Sequence, residues 1–163
     1  AWLSPIRKSE LLLYTTLVHI GNQEYKVAKK YISNAIIDHN IKYLPLMRTI
    51  RLVRLIVFYE VQEHELIQYE SRSITRSLSS PKEQTFKTER IILWFLNKRN
   101  IPILKKDREA FWEKLSPEIH ELYNNKYESQ LLRLFDFTAW MESKIRKEKL
   151  SEVLRARTSA KEC

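Results

Sequence analysis

The sequence predicts an all-α protein of about seven helices. Three observations carry that prediction: a single glycine in 163 residues, apolar residues that recur every three and four positions, and turn-forming clusters that come only at wide intervals. Tight hairpins and phosphate-cradling loops need several residues free to adopt φ > 0. One glycine therefore argues against Walker loops, dinucleotide-binding folds and β-sandwiches. The hydrophobic fraction of 44%, with 11% aromatic residues, supplies a core, so disorder is not the default. At roughly 100–200 residues per domain, residues 1–163 read as one domain or as a piece of a larger array.

Ser4-Pro5 is an N-cap followed by proline at the first helical position, opening a helix to about Ile20. Gly21-Asn22 is expected to end it, with a left-handed cap. A second helix runs from about Glu24 to Asp38, with Tyr25, Ala28, Tyr31, Ile32, Ala35 and Ile36 at helical spacing. After His39-Asn40, Leu44-Pro45 opens a third helix to about Val61. Glu63-His64 marks a turn, and a fourth helix covers Leu66 to Leu78. Ser79-Ser80-Pro81 is the clearest stop, followed by a fifth helix from Lys82 to about Lys98. Asn100-Ile101-Pro102 breaks that helix, and a sixth covers Lys105 to Asn124, with a bend expected at Ser116-Pro117. One long helix is expected from about Tyr127 to Arg155. The third helix is apolar almost all round, from Leu46 to Phe58, and the fifth has the same character around Trp94. Such helices need neighbours on several sides.

A repeat emerges from this layout. Tyr25, Ala28 and Ala35 follow the turn Gly21-Asn22-Gln23-Glu24, and a shift of 39 lands on His64, Ile67 and Ile74 after Gln62-Glu63. The pattern Y-x2-A-x6-A after a short polar turn resembles the second helix of a tetratricopeptide repeat, where small residues let the two helices of a hairpin approach closely. The resemblance is good for residues 6–39 and partial for 44–79, where isoleucine replaces both alanines; over 82–124 only the two-helix layout remains. The spacing of 39 also exceeds the family's 34, so the chain is tetratricopeptide-like. Arg72 to Leu78 and Phe135 to Ile145 are similar to the C-terminal part of a group of bacterial helical-repeat proteins of this type. The resemblance implies antiparallel hairpins over about 6–39, 44–79 and 82–124, stacked as a short right-handed solenoid, with a capping helix over about 127–155. It implies a fold and no activity, and a chain that is the terminal portion of a longer solenoid. The start at Ala1, without Met, fits a processed or truncated terminus.

The only cysteine is Cys163, which leaves no internal disulfide, CxxC pair or thiolate zinc site and suits a reducing, cytoplasmic setting. The longest purely apolar run is Ile91 to Leu96, far short of the about 20 residues of a spanning helix. No membrane insertion and no signal peptide are expected. His19, His39, His64 and His120 fall on different elements, and no pair has the i, i+4 spacing of a metal site. Glu60, Glu63 and Glu65 cluster at one turn, where solvated charge at helix ends explains them better than acid/base work. There is no G-x-S-x-G. The chain is expected to be no enzyme and to carry no metal or cofactor.

Arginines are the more informative residues. Arg48, Arg51 and Arg54 step by three along the third helix, each displaced about 60° from the last, and form a slanting stripe. In a stack of hairpins the first helix of each pair lines the concave face. Arg48, Arg51, Arg54, Tyr59, Lys87 and Arg90 are thus the candidate binding surface, a basic groove for an acidic or carboxylate-bearing segment, since guanidinium forks suit carboxylates. The competing reading is that these arginines pair with Glu60, Glu70 and Glu89 and keep the surface soluble. The formal net charge of +9 and sequence pI near 9.6 fit nucleic acid as a rival partner. The excess, however, is spread over both halves, with no Lys/Arg run longer than two. From Lys144 to Arg157 a solvated terminal helix is expected. The functional expectation is a non-enzymatic protein–protein interaction scaffold whose partner is a protein or peptide. Nucleic-acid binding and a purely structural segment of a longer helical array are the alternatives. Oligomeric state is left open.

Overall fold

Ser4 caps the first helix as expected: its Oγ accepts from the backbone N–H of Arg7 at 3.3 Å, and Pro5 follows at the first helical position. The computed structural model describes residues 3–35, 44–78, 86–97 and 101–161. Among the described residues all regular structure is helical, in nine helices rather than about seven. These are α1 (Pro5–Gly21), α2 (Tyr25–Ser33), α3 (Pro45–Glu60), α4 (His64–Leu78), α5 (Lys87–Asn97), α6 (Lys105–Asn124), α7 (Ser129–Leu134), α8 (Phe137–Arg146) and α9 (Leu150–Lys161). The expected breaks at His39-Asn40 and Ser79-Ser80-Pro81, the helix start at Lys82, Asn100 and Cys163 lie outside the described residues. The chain, expected as one repeat domain, divides into two compact units, Ala1–Thr85 and Phe86–Cys163.

In the first unit α1 packs on α2, α3 on α4, α2 on α3, and α1 touches α3. Ala28 and Ile32 of α2 are fully buried with Leu13 and Ile20 of α1, the close approach that small residues permit. The corner between the helices differs from expectation. Gly21 is the last helical residue and Asn22 is right-handed; the left-handed residue is Gln23, at φ 62°. Gln23 N–H donates to the Ile20 carbonyl at 3.0 Å, and Glu24 N–H to that of His19 at 2.8 Å. This pair of bonds is a Schellman closure, and it satisfies helix-end carbonyls without a glycine. The corner between α3 and α4 repeats it 39 residues on. Gln62 sits at φ 61°, its N–H donates to Tyr59 at 3.1 Å, and Glu63 N–H donates to Phe58 at 2.9 Å. The 39-residue spacing is therefore a repeat of backbone geometry as well as of residue type. Lys29 of α2 reaches Glu63 at the second corner, Nζ to Oε1 2.5 Å.

In the second unit the helix expected from Tyr127 to Arg155 is three helices, with α8 at the centre. No proline or glycine breaks them. Asp136 ends the first stretch by capping the next helix, its Oδ1 accepting from Ala139 N–H at 3.0 Å. Lys147, left-handed at φ 58°, closes α8. Phe137, Ala139, Trp140, Met141 and Ile145 of α8 are fully buried, and α8 packs on α5, α6 and α9. Phe95 of α5 meets Trp140 edge-on, centroids 5.6 Å apart. α6 runs through Pro117. The start of α5 is capped from afar: buried Glu128 accepts from Lys87 N–H at 2.6 Å, Thr88 N–H at 3.1 Å and Thr88 Oγ1 at 2.9 Å. A carboxylate there answers both the open N–H groups and the positive end of the helix dipole.

Arg157 ties the last helix to the rest of this unit, where a solvated tail is expected from sequence. It donates to Glu142 at 2.6 Å, Asp136 at 3.1 Å, Thr138 at 2.7 Å and the Tyr123 hydroxyl at 2.7 Å, and lies over the Trp112 ring at 5.8 Å. Burial works against the Arg157 charge, but Asp136, Tyr123 and Glu142 outweigh it and raise its pKa. Tyr123 is held protonated far into alkali, by burial first and by Asp136 second.

Two stability measurements test these points. Gln62→Gly is expected to stabilise the first unit by up to about 1 kcal/mol, because a side chain at left-handed φ costs about that much; Gln62→Val is expected to destabilise it. Thermal unfolding of both variants reads the sign. Arg157→Met roughly keeps the volume but takes the guanidinium from Asp136 and Glu142, and is expected to cost about 2–4 kcal/mol in urea unfolding, below a wholly buried pair because Glu142 keeps Arg146 at 3.2 Å and the site keeps some solvent.

Candidate functional site

The stripe of arginines on α3 exists, but its heads are turned inward. Arg48 and Arg51 are buried. Arg51 donates to Ser73 and Ser77 of α4, each at 3.2 Å, and its Nε lies 3.9 Å from Glu70. Arg54 donates to the Ala35 carbonyl at 2.8 Å and the Ile32 carbonyl at 3.2 Å, capping the end of α2, with Glu70 4.0 Å away. Burial lowers the Arg54 pKa and Arg51 adds to that, while Glu70 pulls it back up. These groups bind three helices of the first unit to one another and do not line an open groove. Of the three expected partners, Glu70 lies beside both Arg51 and Arg54. Tyr59, farther along α3, is half-buried, and burial with Glu60 beside it raises its pKa.

Lys87 and Arg90 stand in the second unit, on α5. With Trp94 they occupy one face of that helix at spacings of three and four. Lys87 Nζ lies 3.9 Å from Glu121 of α6, both well exposed. Arg90, Ile91 and Trp94 face Leu115 and Glu118 of α6 across a cleft of about 270 Å³. Trp94 is 43% exposed and stacks on Phe111, centroids 6.3 Å apart and planes 12° from parallel. An indole face, a guanidinium and a carboxylate thus meet at one surface, and an incoming side chain could stack on the first while its polar end meets either charge. From sequence the helix around Trp94 is expected to have neighbours on several sides. The sequence signal for the exposure of Trp94 is Lys87 and Arg90 on the same face: two cations one and two turns before an aromatic mark a solvent-facing stripe.

A second concavity, of about 510 Å³, lies between the two corners of the first unit and is lined by Gln23, Glu24, Tyr25, Lys26, Glu60 and Gln62 among others. Burial pushes the Tyr25 hydroxyl up to about 12, and Glu60 adds to the shift. Glu24 is engaged with His19, Oε2 to Nδ1 2.5 Å, and the His19 ring stacks on Tyr31. Among the described residues there is no group of three or more His, Cys, Asp or Glu side chains placed to hold a metal ion, and no helix long and apolar enough to cross a membrane. No protein-family model matches the chain, and neither does a curated protein or a solved structure.

Arg51→Glu separates the inward arrangement from a solvent-facing one. Placing a carboxylate against Glu70 in a site largely closed to water is expected to destabilise the first unit by about 3 kcal/mol or more. Urea unfolding at neutral pH checks it; a stability within a few tenths of the parent is the outcome expected of an arginine that merely faces water.

Proposed function

We propose that the chain is a non-enzymatic interaction scaffold of tetratricopeptide-like, helical-repeat type, in which the two hairpins of the first unit are consecutive turns of a right-handed solenoid. The repeated left-handed corner and the packing of α2 on α3 support this reading. Its partner is a protein or peptide segment that brings a carboxylate together with an apolar side chain. The observation that carries the proposal is the α5–α6 cleft, where a half-exposed indole lies one turn from Arg90 and two from Lys87. An apolar side chain of the partner covers the ring. The carboxylate takes the cationic side of α5, in exchange for contacts with Glu118 and Glu121, and that exchange makes the association salt-sensitive. Arg48, Arg51 and Arg54 keep the scaffold's shape instead of binding the partner.

Nucleic acid is the second reading, favoured by the net charge of +9. Five of the arginines, however, are buried or held by internal partners: Arg48, Arg51, Arg54, Arg108 and Arg157. Affinity capture from native extract separates the two. Trp94→Ala and Arg90→Glu are each expected to lower partner recovery at least about tenfold, the effect of a buried aromatic or arginine anchor, with the protein's own melting temperature nearly unchanged. Unchanged recovery by both variants removes the cleft from the proposal, and recovery of nucleic acid that falls steeply with salt favours the rival.

A further inference from the structure

The outer face of α1 is apolar where a surface helix ordinarily carries charge. Leu11, Tyr14 and Val18 follow one another at three and four residues and are 53%, 44% and 62% exposed. The two corners share their hydrogen bonds at an offset of 39, so α1 can be compared with α3 position by position. Carried forward by 39, Leu11, Tyr14 and Val18 become Ile50, Val53 and Val57, each fully buried. The side of α3 on which they lie is fixed by the arginines. Arg51 reaches α4, and Arg54, about 60° round, reaches the last carbonyls of α2. Ile50, Val57 and then Val53 continue round in the same sense, past Arg54 and away from α4, and both α2 and α1 pack on α3. In the second hairpin, then, the side of α3 that carries this stripe turns from α4 toward the preceding hairpin.

We infer that the outer face of α1 is the seat of a further two-helix hairpin of the same 39-residue build, supplied by the same polypeptide ahead of α1. The occupant presents an apolar second helix to α1, as α2 packs on α3. One feature of the existing joint is not reproduced. The counterpart of Arg54 in α1 is Thr15, whose hydroxyl donates to its own helix at the Leu11 carbonyl, 2.9 Å away. The incoming hairpin must therefore close its own last carbonyls. The inference rests on the repeat reading of the first unit and not on the carboxylate cleft, so the two fail separately.

Thiol labelling tests it. Cys163, the only cysteine, is replaced by serine, and single cysteines are placed by Val18→Cys and, as reference, Tyr69→Cys on α4, where Tyr69 is 74% exposed. In the 163-residue chain both are expected to react rapidly with a maleimide. In the product of the complete reading frame the Val18→Cys thiol is expected to react at least about tenfold more slowly, with Tyr69→Cys unchanged, as for a group released only by local opening. Equal rates at Val18→Cys in both proteins overturn the inference, as does a reading frame with no helical hairpin ahead of α1. Slow labelling already in the 163-residue chain, with a doubled mass by light scattering, places a second copy on the face and overturns it too.

Discussion

Each unit is organised around guanidinium groups drawn out of water. A buried ion costs several kcal/mol to desolvate, and only a complete set of partners offsets that cost. Arg51 and Arg54 find theirs on α2 and α4, in Glu70, two serines and two helix-end carbonyls. Arg157 finds its own on α6, α8 and the segment between them. A planar fork with five fixed donors ties several chain segments at once, which a hydrophobic side chain of the same volume cannot do with equal directionality. Registers that misplace one partner strand a charge, so these clusters select one packing among the many that greasy helices allow.

Much of the helix pattern is legible in the sequence because its boundaries are written in residues with one strong local preference. Ser4-Pro5 and Leu44-Pro45 mark the starts of α1 and α3, and Lys105 to Asn124 matches α6 residue for residue. The corners are less legible. A glycine stands beside the first, yet the chain puts the left-handed turn on a glutamine, since the two Schellman hydrogen bonds depend on the position of the turn rather than on the identity of its residue. The segment after Asn125 is the least legible. Its apolar residues keep helical spacing straight across Asp136 and Lys147, so periodicity sees one rod. What divides it is a capping carboxylate whose partners come from α6 and α9, information that no local window holds.

The candidate site shows the same limit from another side. A spacing of three along α3 correctly gathers Arg48, Arg51 and Arg54 into a stripe, but which way a stripe faces is a tertiary fact. Ser73, Ser77 and Glu70, which turn it inward, lie about twenty residues downstream. Lys87 and Arg90 did share a face, and the residue that makes that face interesting, Trp94, is hidden by its apolar neighbours Ile91, Ile92, Leu93, Phe95 and Leu96. In a run so greasy the exposed position is found by the cations in register with it, not by hydropathy.

The carboxylate of Glu128 closes the start of α5 from about forty residues downstream, and Arg157 comes later still. A ribosome delivers these parts in the opposite order to the one in which they are needed. While α5 and α6 emerge, their apolar flanks and open N–H groups have nothing to settle against, whereas the first unit already holds all of its own clasps. Vectorial synthesis thus leaves a window in which α5 is made before the carboxylate that closes its start, and a translation pause between Asn97 and Glu128 would lengthen it.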